Sequence, residues 1–109
     1  MKIFRVNNEE YEIYLSSNGM CLIEDMMGVP FQSLDLSKLG YKSMVVLLYG
    51  MLWQKSRLSF EKVNDLLDDW LSNENNDMKK LGGIVKDEIE KWASKIKSKD
   101  SNVEMEKKN

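Results

Sequence analysis

A chain of 109 residues that is 42% apolar, with three Trp, four Tyr and three Phe, has the size of one domain and can fill a core, which excludes wholesale disorder. It has no histidine and one cysteine, Cys21, so an internal disulfide, a thiolate zinc site and the commonest general base are all excluded. A net charge of −2 argues against a dedicated nucleic-acid binder, which needs a basic surface to neutralise phosphates.

The elements follow in order. KIFRV at 2–6 and EYEIYL at 10–15 are short β-prone runs around Asn7-Asn8-Glu9. Asparagine tolerates positive φ, so the pattern predicts a β-hairpin with a tight turn. A lone hairpin is marginal in water and must lie on the helices that follow. Ser16 or Ser17 then caps a first helix over about 18–27, with Met20, Ile23, Met26 and Met27 as its apolar stripe. Gly28 is placed to end it in the left-handed conformation, and Pro30 prevents continuation. Residues 29–42 read as a connector in which Leu34, Leu36 and Leu39 form a single helical turn.

A central helix is expected over about 43–55, with Ser43 near its start. From Met44 to Trp53 only Gly50 lacks a large apolar or aromatic side chain, so this helix must be covered on every face. Gly50 costs roughly 1 kcal/mol against alanine in a helix interior, which points to close approach by another helix or by the hairpin. Ser59 caps the next helix, whose face of Phe60, Val63, Leu66, Leu67, Trp70 and Leu71 opposes Lys62, Asn64, Asp65, Asp68 and Asp69. After the polar break at 72–76 a last helix is expected over about 77–97, with an apolar seam of Leu81, Val85, Ile89, Trp92 and Ile96. Gly82-Gly83 weakens its first turns, so its well-formed part is expected to start near Ile84. Residues 98–109 hold charges of both signs and read as a solvated, disordered tail. The fold class is therefore mainly α: one domain over 1–97, about four helices with a short N-terminal hairpin.

Chemistry is sparse. No GxGxxG or GxxxxGK[ST] phosphate loop is present, and the aspartates of the amphipathic helix read as its wet face, so no enzyme, cofactor or metal is expected. The helix-turn-helix spacing at 43–71 invites a DNA-binding reading, yet Asp65, Asp68 and Asp69 would face phosphate, so a small helical transcription regulator is the weaker alternative. The start MKIFRVNNEEYEIYL has early charges and no long apolar stretch, and the run at 44–53 is about half the length that crosses a bilayer. A cytoplasmic protein without signal peptide or membrane contact is the expectation.

Two features point toward protein partners. Methionines on the first helix suit a surface that adapts to a partner helix, although core filling is the plainer account. The near-heptad seam of the last helix suits self-association or a partner helix, although folding back on the domain is again plainer. The candidate partner-binding residues are Met20, Met27, Ile89, Trp92 and Ile96. The central helix has enough cover within the chain to be scaffold, so the binding surface belongs to the elements around it.

Three stretches resemble the phage tail assembly chaperones of long-tailed phages, encoded just before the tape measure protein. KIFRVNNEEYEIYLSSNGMCLIEDMMG resembles their hairpin, capped helix and closing glycine. SMVVLLYGMLWQ resembles their apolar central helix, and LSFEKVNDLLDDWL their capped amphipathic helix. Together they cover roughly 1–72; the last helix departs from the pattern. The resemblance implies a non-enzymatic protein that binds the aggregation-prone tape measure protein, and with it the tail tube protein, in the host cytoplasm and is absent from the mature virion. It further implies that a frameshifted longer form could diverge in the tail. A structural head-tail or tail-completion protein remains the alternative.

Overall fold

A computed structural model describes residues 2–108, with side chains described as far as residue 96. Strands β1 (Lys2–Val6) and β2 (Glu9–Ile13) are followed by helices α1 (Ser17–Met27), α2 (Tyr41–Ser56), α3 (Phe60–Leu71) and α4 (Met78–Lys108). Two 3-10 turns, Phe31–Ser33 and Leu36–Lys38, lie between α1 and α2. The expected mainly α domain with an N-terminal hairpin is the architecture found. The last helix, expected to end near residue 97, continues as backbone to Lys108 through the stretch read as a tail, whose side chains lie outside the described ones.

The hairpin is antiparallel, with Phe4 opposite Tyr11 and Val6 opposite Glu9. Asn7 and Asn8 both take positive φ, 49° and 70°, the pair of values that matches a two-residue turn to strand twist. Phe4, Val6, Ile13 and Leu15 face inward and are buried, and the Phe4 ring lies 5.3 Å from Trp70 of α3. The hairpin is thus a lid on the helices, which supply the second layer that an isolated hairpin lacks.

Local signals set most helix ends. Ser16 accepts from the Gly19 amide and Ser59 from the Lys62 amide, each satisfying a donor in the first turn. Gly28 ends α1 in the left-handed region at φ 73°. Helix α2 begins earlier than Ser43 suggested: Gly40 sits at its N-cap without a side-chain bond, and the Met44 amide donates to Gly40 O. The connector makes two tight turns where one was expected; Asp35 caps the second through the Ser37 amide.

Helix α2 is the axle of the domain. It packs against α1, β2, α3 and α4, and Val45, Val46, Leu47, Leu48, Met51 and Leu52 are all at most 1% exposed. The reason for Gly50 is α1: Gly19 and Gly50 face each other where the two helices cross. The turn into α3 holds Arg57 at φ 52°, a left-handed position that favours glycine, with its guanidinium 5.3 Å from the Trp53 ring. Arg57→Gly is expected to raise stability by about 0.5–1 kcal/mol, backbone relief outweighing the lost cation–π contact. Chemical denaturation measures this, and a loss of stability would mean that the Trp53 contact dominates.

Candidate partner-binding surface

The surface is organised by α4. Asp77 Oδ1 accepts from the Lys80 amide at 2.8 Å, which caps the helix, and Asn76 Nδ2 donates to Trp70 O at 2.9 Å, which fixes its start against α3. The helix begins at Met78, one residue from the expected start at 77, and the glycine pair lies inside regular helix where only the part from Ile84 on was expected to be well formed: the Asp77 cap and the fully buried Leu81 outweigh the weak propensity.

From there the apolar seam of α4 runs outward. Leu81, Val85 and Ile89 are buried in the core, Trp92 is half-buried, and Ile96 is 39% exposed. The seam thus continues beyond the part of the body that covers it. Trp92 is steadied by Phe31 of the first 3-10 turn, edge to face at 5.5 Å.

The chain leaving the hairpin is held between two helices. The Tyr14 amide donates to Met51 O of α2 at 2.9 Å, and the Leu15 amide donates to Glu88 Oε2 of α4 at 3.2 Å. Glu88 is only 6% exposed, so this carboxylate works as a buried acceptor that pins α4 to the hairpin exit. The Lys2 ammonium donates to Asp87, holding that carboxyl below the usual aspartate range and tying β1 to the same stretch of helix.

A notch of about 180 Å³ opens beside this junction, with Tyr14, Leu15, Glu88, Trp92, Lys95 and Ile96 among its lining residues. Tyr14 is 38% exposed, and its ring has two cations near it, with Lys55 Nζ at 5.7 Å and Lys95 Nζ at 5.5 Å from its centre. An aromatic ring, an indole and an exposed isoleucine at one site can take an apolar side chain of another protein. A second recess, of about 300 Å³, opens where α4 passes the connector and the start of α2.

The five residues proposed from the sequence do not form one patch. Trp92 and Ile96 meet at the notch. Ile89, at 4% exposure, belongs to the core and only backs the second recess, because α2 and the connector cover its side of α4. Met20 and Met27 are half-buried, packed against the core and part of neither recess. Tyr14 was missed. Its signal was present as an aromatic residue that alternates with the buried Ile13 and Leu15 where the chain leaves β2.

Among the described residues no group of three Asp, Glu, Cys or His could hold a metal ion, and no helix is long and apolar enough to cross a membrane. Asp65, Asp68 and Asp69 stand exposed along α3. Comparison with protein-family models, curated proteins and solved structures finds no match to this chain.

Proposed function

We propose that the chain is a phage tail assembly chaperone: a non-enzymatic protein that binds apolar helical segments of a tape measure protein while the tail tube assembles, acting in the host cytoplasm and leaving the finished particle. The observation that carries this reading is the α4 seam, which outruns the body and leaves Trp92 half-buried and Ile96 exposed beside Tyr14. Reversible burial of such a surface keeps a sticky partner soluble without chemistry. The order of hairpin, capped helix, apolar helix and amphipathic helix supports the same reading through the resemblance over 1–72.

Co-expression with the neighbouring tape measure protein tests it. The native chain should keep that protein soluble, and Trp92→Ala with Ile96→Glu should cut the soluble fraction at least about tenfold, as expected when an aromatic anchor of an interface is lost. Equal insolubility with and without the native chain would refute the proposal. Mass spectrometry of purified particles separates a chaperone, which is missing, from a structural head-tail or tail-completion protein, which is present in stoichiometric amount.

A further inference from the structure

The second recess is a groove walled by Leu36, Leu39, Met44 and Val85, with Gly82 and Gly83 along the α4 side. Its charged lining side chains are Lys79 and Lys86, and no carboxylate is among the described lining residues. Asp35 stands next in sequence to Leu36, but its carboxylate is engaged by the amide and hydroxyl of Ser37. Lys79 and Lys86 are seven positions apart, hence on one face of α4 and about 10 Å apart along it, with the glycines between them.

Gly83 makes the groove more than a crevice. Its φ is not positive, so the backbone does not require glycine, and a Cβ built there meets nothing within 4 Å, so neither does packing. Gly82 is nearly as free: its Cβ would press only on the flexible end of Met44, at 3.1 Å. An interior helical glycine that the fold does not need weakens the helix and keeps the groove open. Small residues at a helix surface let another helix approach closely.

We propose that this groove docks an acidic amphipathic helix of a partner protein. The partner's apolar stripe enters between the 36–44 segment and α4, and carboxylates about two turns apart on its flank meet Lys79 and Lys86. The assignment rests on the partner-binding reading above for the partner's identity, but the test needs only the groove.

The test uses the full chain and two synthetic 18-residue helical peptides that share one leucine stripe, one flanked by glutamates and the other by lysines. The glutamate peptide should shift the amide resonances of Gly82 and Gly83 and the Met44 methyl, and bind at least about tenfold more tightly at low salt. Lys79→Glu with Lys86→Glu should reverse that preference. Gly83→Leu should weaken binding at least tenfold while raising the melting temperature, which separates a filled groove from an unfolded protein. The proposal is overturned if the peptides bind equally or the shifts fall elsewhere. It is also overturned if diluting the protein alone moves the same resonances, because the occupant is then a second copy of this chain. Failure of tape measure co-expression with the peptide result intact would remove the chaperone reading and leave the groove.

Discussion

Gly19→Ala is expected to destabilise the domain by about 3 kcal/mol or more and to lower its melting temperature by more than about 10 °C. Helix propensity alone predicts the opposite sign, a gain of up to about 1 kcal/mol. The structure decides against propensity. A Cβ at Gly19 would fall on the carbonyl oxygen of Gly50 and lie 3.0 Å from its carbonyl carbon. Those atoms belong to the backbone of α2, buried on all sides, and cannot swing away as a side chain can. The crossing is reciprocal. A Cβ at Gly50 would lie 2.5 Å from Ile23 Cγ1 and 2.8 Å from Gly19 O, so Gly50→Ala must displace both Ile23 and the backbone of α1.

The two obstructions differ in kind, which supplies a control. Trimming Ile23 to alanine should partly rescue Gly50→Ala, because one of its obstacles is a side chain. The same trimming should not rescue Gly19→Ala. Denaturant titrations of the three single variants, Ile23→Ala included, and of the two double variants give the interaction energies. A stabilised Gly19→Ala protein would show that α1 and α2 do not cross this closely.

What the sequence disclosed was local. Asn7-Asn8, Ser16, Gly28 and Ser59 each act on their own backbone within three or four residues, and each does what its chemistry suggests. Ser43 misled because a serine is a cap only where the chain first turns, and here the turn comes at Gly40, whose extended backbone starts the helix with no side-chain bond. The glycine pair misled in the other direction, since propensity is a weak prior beside a capping aspartate and a fully buried leucine. The surface was the least legible part. Periodicity places Ile89, Trp92 and Ile96 on one seam but does not say how far the body extends beneath it. That depends on where the hairpin exit and the 31–33 turn come to rest. The groove joins residues 36–44 to residues 79–89, and no local pattern links segments so far apart.

The expectation of a helix covered on every face has a sharper consequence. Val45, Val46, Leu47 and Leu48 are consecutive, about 100° apart around the axis, and each is at most 1% exposed. Leu47→Ala and Leu48→Ala should each cost about 2–5 kcal/mol, and Val45→Ala and Val46→Ala somewhat less, with no silent position in the turn. Against a total of about 5–15 kcal/mol for a domain, either leucine change removes a large share of the stability. Helix α3 provides the contrast. Leu67 is fully buried and Asp68 beside it is exposed, so Leu67→Ala should match the leucines of α2 while Asp68→Ala stays within about 0.5 kcal/mol. Denaturant titrations of these variants separate a wrapped helix from an amphipathic one, and a silent Leu47 or Leu48 would mean that one side of α2 is open. If every position in the turn is costly, no side chain there is free to meet a partner. On the proposed partner-binding reading, variants that impair binding while leaving stability intact should then map to the rim formed by Tyr14, the end of the seam and the groove, and a binding-specific variant within 45–48 would contradict that placement.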